Sequence, residues 1–543
     1  MKLKHKSALA LASALILPVL FSAPAVAQRD DDQKFDKSQE VGYLGRTSSD
    51  ALTQSKFAAL RDRRATRRVN DTADRVLAWH ENALDAVAID HTPPVGGRAP
   101  LNNGGPVRTS RALAMTQIAV FDALNAFSGK FQAYNTLTPA PRGASKDAAI
   151  AYASHGVLSV LYPAQKVQLD VLLSSDVSSI RGSAASIAAG RAVGEASAAA
   201  IIRRRTNDGS EIREVNFGGR GRVASGTTNF YGEPVNGGST APFRWTPDPL
   251  TPGDTPGTTL QLALGASWGA VKPFVIRSGD QFRAPPPPLP GTPGYAAGFN
   301  DVKAVGASSS PSTATAQTRF IGNYWGYDGA PLLGTPPRLY GQIAVKIATE
   351  NGVRSALGLA RLLAMVDTAQ ADAGVAAWDS KYFYNYWRPV TGVPRGAEDG
   401  DAATVGDPNW KPVGISVINT TAPILATPPF PAYVSGHATF GAATFQVLRI
   451  FFPDNTRFTF VSDEYNGAGV DPFGTPRPLV PVRFRSFQQA QEENGRSRVY
   501  NGVHWTWDDT QGQNIGVSIG QYLQANAFKR VRGGGDDDDR DDD

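Results

Sequence analysis

The chain has 543 residues, a formal net charge of +5 and no cysteine. Its length allows two to four structural units at roughly 100 to 200 residues per domain, and the missing cysteines exclude disulfides, iron–sulfur clusters and cysteine zinc sites. The charge is unevenly spread: Lys2, Lys4 and Lys6 open the chain and the terminal DDDDRDDD carries a net −6, so the body between them is about +8. Its lysines and arginines form no long run interleaved with aromatics, which argues against a nucleic-acid partner and for a small anionic ligand.

In chain order, Lys2, Lys4 and Lys6 precede ALALASALILPVLFSAPA, and AVA at 25 to 27 offers small residues for cleavage. Residues 1–27 therefore read as a secretory signal, and the protein is expected to be exported, to a periplasm or the exterior. The alternative, a membrane anchor, suits a stretch this short and broken by Pro18 and Pro24 less well. No later segment offers the ~20 apolar residues of a spanning helix, so stable membrane insertion is not expected. Residues 28–70 are polar and expected to be disordered.

Helical periodicity then appears at 73–89, 111–127, 146–162 and 184–205, rich in Ala and Leu. We read 71–205 as an N-terminal helical bundle. From 206 to 317 the texture turns to Gly, Pro, Ser and Thr, including RAPPPPLPGTPG at 283–294, a density that predicts an irregular connection. Helical pattern returns at 338–350, 354–387 and 436–452, within a C-terminal bundle spanning 318–530 that should hold the catalytic site. Residues 531–543 form an acidic tail, a solvated end whose alternative reading is weak calcium binding. Strand-like alternation is scarce. The expected fold is all-α: two four-helix bundles with long Pro/Gly-rich connections.

Three short stretches carry chemistry. In KYFYNYWRP, Lys381 and Arg388 are seven residues apart, which on one helix puts both cations within about 20° of one face, with Pro389 ending or bending that helix. They are either solvated surface cations or, given aromatic neighbours, a buried pair that needs an anion. In FPAYVSGHATFGAA, Ser435 and Gly436 fall at a helix start, where unpaired N–H groups make an anion site; Ser435 can also be a plain N-cap. In SRVYNGVHW, Arg498 and His504 lie about 120° apart on an unbroken helix, so their convergence requires a bend, for which Asn501-Gly502 is suited. His80, His91 and His155 lack such company, which leaves His437 and His504 for acid–base work or ligation.

The ordered set, Lys with Arg-Pro, Ser-Gly-His, then Ser-Arg with His, resembles the signature shared by vanadium-dependent haloperoxidases and the type 2 phosphatidic acid phosphatase and bacterial acid phosphatase superfamily. PPFPAYVSGHATFGAA, YWGYDGAPLLGTPPRLY, ADAGVAAWDSKYFYNYWRPVTG and SRVYNGVHW look closest to the fungal-type vanadium chloroperoxidases and their bacterial relatives, over about 320–510.

That resemblance implies a vanadate cofactor whose oxygens are held by Lys381, Arg388, Arg498, Ser435 Oγ and the Gly436 N–H. His504 would bond to vanadium, and His437 would take a proton from hydrogen peroxide. The implied reaction is halide oxidation, of chloride or bromide, to hypohalous acid that halogenates small organic molecules. Asp328 matches an aspartate that orients the Arg498 position; its alternative is an ordinary turn before Gly329. Trp378 and Phe430 match aromatics of the halide pocket, or are simply core. Val434 replaces the proline that the fungal group has before Ser-Gly-His, which relaxes a backbone constraint. The rival within the resemblance is an exported acid phosphatase acting through a phosphohistidine at His504.

Overall fold

The computed structural model describes residues 69–92, 102–212, 215–218, 222–223, 242–246, 248–250, 262–309, 311–419 and 427–531. The signal segment, most of 28–70 and nearly all of the acidic tail lie outside these residues. Among the described residues there are thirteen α-helices, one β-hairpin and one small three-stranded sheet (β1, Val215–Gly218; β2, Arg222–Val223; β3, Leu262–Ala263). The chain is mainly helical, as the periodicity predicts.

Five helices come first: α1 (Thr72–Asp90), α2 (Pro106–Asn125), α3 (Lys146–Leu161), α4 (Lys166–Ser178) and α5 (Ala184–Arg205). The side chains of Asp71, Ser145 and Ser183 each accept from a first-turn N–H, satisfying donors that a helix start leaves orphaned. α4 was not among the predicted segments because it buries only Leu169 and so shows no apolar stripe. α5 corrects an expectation: an 18-residue stretch within its 22 residues is, by length and composition alone, apolar enough to span a membrane. Here one face of α5 packs on α3, where Cβ atoms at Gly190 and Gly194 would strike the Ser145 and Ala149 carbonyls. Another face carries the exposed Arg191–Glu195 ion pair.

The connection is not irregular throughout. The proline run ends in α6 (Pro293–Val305), with Pro293 in the first turn, where its missing N–H needs no partner, behind the Thr292 cap. α7 (Ala316–Tyr324) and α8 (Pro336–Glu350) lead to α9 (Ala356–Tyr384), whose 29 residues span about 43 Å. α9 is buried on almost every side from Leu359 to Tyr382. It lies between α2 on one flank and α11 (Gly436–Phe451) on the other, so both groups of helices share it.

After the single-turn α10 (Pro389–Gly392) and α11 come α12 (Phe487–Tyr500) and α13 (Thr506–Asn526). α13 carries Gly512, Gly516 and Gly520 at four-residue intervals, one face of a helix. A Cβ at Gly516 would stand 2.7 Å from the Ala443 nitrogen and strike the Thr439 carbonyl. Without side chains there, the two backbones touch, and the start of α13 is fixed beside the start of α11. The Ser435 N–H donates to the Asp508 carbonyl at 2.9 Å.

The hairpin, β4 (Phe458–Asn466) and β5 (Leu479–Phe484), pairs Phe458 with Phe484 and Phe460 with Val482. Its inward positions are Phe458, Phe460, Ser462 and Glu464. Half of that face is polar, so the alternation that betrays a strand is absent from the sequence.

Candidate active site

The Lys381–Arg388 pair departs from expectation. α9 stops at Tyr384, where Asn385 turns left-handed (φ 48°, ψ 44°). Arg388 is extended (φ −87°, ψ 160°), as the following proline ring demands. The two cations are therefore not on one helix face; the turn at 385–387 brings them together. Lys381 Nζ lies 4.9 Å and the Arg388 guanidinium 5.0 Å from the Phe430 ring centroid. They are 0 % and 1 % exposed, which excludes a solvated surface pair.

Lys381 Nζ donates to the carbonyls of Pro431, Ala432 and Val434, and so ties down the chain that leads into Ser435. Arg388 donates from Nε to the Phe430 carbonyl at 2.8 Å and from Nη1 to the Val503 carbonyl at 2.6 Å, one residue before His504. The third cation, Arg498, grips Asp328 with both Nη atoms, at 3.2 and 2.6 Å; Asp328 is thus more than a turn residue. Between Arg498 and His504 the expected bend is present: α12 ends at Tyr500, Gly502 has φ 67°, and α13 starts at Thr506.

Ser435 is the N-cap of α11, its Oγ accepting the Ala438 N–H at 3.4 Å, and Gly436 is the first helical residue. A Cβ at Gly436 would meet the Trp378 ring at 3.2 Å. Trp378 and Phe430 are both buried, with ring centroids 4.8 Å apart, and the Trp378 indole N–H donates to the Leu264 carbonyl.

The two histidines take opposite tautomers. His504 Nδ1–H donates to Asp508 Oδ2 at 2.8 Å, which leaves the lone pair on Nε2, 3.5 Å from Arg388 Nη1. His437 Nε2–H donates to the Gly326 carbonyl at 2.7 Å, which leaves the lone pair on Nδ1. The other described histidines are engaged elsewhere: His80 faces Asp367, His91 donates to the Val87 carbonyl, and His155 pairs with Asp170.

Residues 361–533 match the family model described as the VCPO second helical-bundle domain. Over 507 residues the chain is 30 % identical to vanadium chloroperoxidase of Curvularia inaequalis, covering 81 % of this chain and 80 % of that relative. The chain belongs to the vanadium haloperoxidase family. Two solved structures share the fold of this haloperoxidase homologue. A bacterial vanadium-dependent iodoperoxidase matches with a TM-score of 0.63 at 22 % identity, over 86 % of this chain and 99 % of its own. A holo-type bacterial vanadium-dependent chloroperoxidase matches with a TM-score of 0.59 at 18 % identity, over 89 % and 97 %.

The family uses vanadate, and the donor set of this haloperoxidase suits such an oxyanion. Arg388 Nη2 and Arg498 Nε are buried with no hydrogen-bond partner among the described residues, a costly state for charged donors unless an acceptor arrives. Burial, and then Arg388, hold the Lys381 pKa well below the lysine range. Burial also draws Arg388 down to about 9. An anion among the three cations offsets both penalties. Burial, then Arg388, Lys381 and Arg498, hold His504 well below the imidazole range; burial and then Arg498 do the same to His437. Both rings are therefore neutral bases at neutral pH.

Asp508 escaped the sequence reading. Its carboxylate orients His504 and accepts the Trp505 N–H at 3.1 Å, while burial pushes its pKa up to about 7. The His504-to-Asp508 spacing of four residues is the signal that could have found it.

Proposed function

We propose that this haloperoxidase oxidises bromide or chloride with hydrogen peroxide and one proton, giving hypohalous acid and water, and that Lys381, Arg388, Arg498, Ser435, Gly436 and His504 hold the vanadate. The observation that carries the assignment of residues is the pair of buried, partnerless guanidinium nitrogens beside a histidine whose Nε2 presents its lone pair toward Arg388 Nη1 at 3.5 Å. Bound vanadate supplies a Lewis-acidic centre that activates peroxide toward halide without changing its own oxidation state.

The chain's own groups do the rest. Asp328 fixes the guanidinium plane of Arg498, so its Nε is preorganised for an oxyanion rather than found on demand. Asp508 holds His504 in the tautomer that presents Nε2 as a ligand. Gly326 holds His437 in the tautomer whose Nδ1 can take the peroxide proton. The first turn of α11 adds the positive end of a helix dipole. Trp378 and Phe430 line the site with apolar surface, which leaves a halide weakly hydrated and easier to oxidise. The proposal includes export, supported by the basic and apolar pattern of residues 1–27.

The test is to load purified protein with orthovanadate and measure halogenation of a diketone by peroxide with chloride, bromide and iodide in turn. p-Nitrophenyl phosphate hydrolysis by the vanadate-free protein is followed in parallel. We expect vanadate-dependent halogenation with bromide and chloride, and its loss in His504→Ala. Oxidation of iodide alone overturns the halide assignment. Phosphatase activity without vanadate-dependent halogenation overturns the reaction itself in favour of the phosphohistidine reading.

A further inference from the structure

Both the acid–base histidine and the third cation lean on one short loop, Gly326–Asp328. His437 donates to the Gly326 carbonyl at 2.7 Å, and Arg498 pairs with the Asp328 carboxylate. Between them, Tyr327 is fully buried in a left-handed conformation at φ 48°. A bulky residue rarely adopts it and does so only when its surroundings impose it.

The imposing groups come from β4. Glu464 Oε1 accepts the Tyr327 N–H at 3.0 Å, and the Asp463 N–H donates to the Tyr327 hydroxyl at 2.8 Å. The other oxygen, Glu464 Oε2, accepts the Ser416 hydroxyl at 2.9 Å and pairs with Arg477 Nη1. Arg477 in turn reaches the Val417 carbonyl at 2.8 Å. Ser416 closes the circuit: its N–H donates to Asp328 Oδ2 at 3.0 Å, the oxygen that also faces Arg498 Nη1. Contact is so close that a Cβ at Gly326 would stand 2.6 Å from Glu464 Oε1. Glu464 is 0 % exposed, and burying a carboxylate and a guanidinium together costs desolvation that a well-packed apolar pair would avoid. A purely structural hairpin has no need of it.

We infer that Glu464, locked by Arg477, is a positioning residue: it fixes the Gly326–Asp328 loop and Ser416, and through them the tautomer of His437 and the aim of Arg498. This rests on the roles given to His437 and Arg498 under Proposed function.

Glu464→Gln keeps the size and one acceptor but sets an amide against Arg477. The reference is Phe460→Leu, a buried change on the same strand whose ring packs against Tyr324, outside Gly326–Asp328. Three quantities are read in folded protein of known melting temperature: orthovanadate affinity by titration calorimetry, kcat and KM for bromide, and the ¹⁵N signal of His437 Nε2 in vanadate-free protein. In Glu464→Gln we expect vanadate affinity and kcat to fall by about 10- to 100-fold, the range for residues that orient ligands. KM for bromide should hold, and the His437 signal should move. Phe460→Leu should lower the melting temperature and leave all three readings in place. Should Glu464→Gln fail to fold, Ser416→Ala removes one hydrogen bond to Glu464 and keeps the N–H on Asp328; roughly threefold to tenfold weaker vanadate binding is expected. Unchanged readings in the variant that folds, or equal losses in Phe460→Leu, overturn the inference. Wild-type protein without vanadate-dependent halogenation overturns the proposed reaction instead, while the His437 signal still reports whether Glu464 positions that ring.

Discussion

Identical side chains at 437 and 504 present different ring nitrogens because each ring donates to a different partner, one a carbonyl and the other a carboxylate. Burial and neighbouring cations lower both pKa values. An imidazole near its ordinary pKa of about 6.5 is mostly protonated at pH 6; with lowered values, both rings stay neutral there. Histidine-labelled ¹⁵N spectra of the vanadate-free protein at pH 6 should show two neutral rings, His437 protonated at Nε2 and His504 at Nδ1. Asp508→Asn should disturb the His504 signals alone. A doubly protonated ring at either position contradicts the assigned roles. The sign for stability follows: the unfolded chain takes up these protons near pH 6.5 and the folded chain does not, so the contribution of both histidines falls as pH drops below about 6.5.

Among the elements, the helices legible in the sequence were those with an Ala- and Leu-rich face, such as α1, α3, α5 and α11. α12 was hidden because it buries Gln489, Gln491, Glu493, Asn494 and Arg498, a polar face that hydrogen-bonds to neighbouring elements rather than an apolar one. α13 was hidden because glycines occupy its contact seam. That seam yields a prediction. Gly516→Ala puts a methyl group against the Thr439 carbonyl and Ala443 nitrogen, a backbone contact that cannot rotate away. Overpacking of this kind costs about 1–3 kcal/mol, to be read as a lower midpoint in chemical denaturation. Because the seam also sets Asp508 beside Ser435, orthovanadate should bind more weakly in calorimetry. Wild-type stability in Gly516→Ala contradicts the close approach.

For the whole molecule, the sequence suggested two bundles, and the structure gives both groups of helices one shared element. α9 is flanked by α2 and α11 and buried along most of its length, so neither group can unfold without exposing it. Scanning calorimetry of the full chain should therefore show one cooperative transition, and residues 318–531 expressed alone should not give a cooperative melt. Two separated transitions would mean that α9 belongs to only one group.

By itself, the sequence determined which groups could meet an oxyanion: Lys381, Arg388, Arg498 and Ser435-Gly436-His437 are set by residue type and by short spacings that turns and helix starts enforce locally. It also determined that the chain would be mainly helical. Tertiary structure alone decided how those groups are aimed. The left-handed Asn385 undoes the shared helix face, Asp508 and Gly326 choose the tautomers, and Glu464, on a strand whose polar face hides its alternation, holds the loop beneath two of them. The physical reason is distance along the chain. Local propensity acts over a few residues, whereas Glu464 meets Tyr327 across 137 positions, a contact that no local pattern encodes.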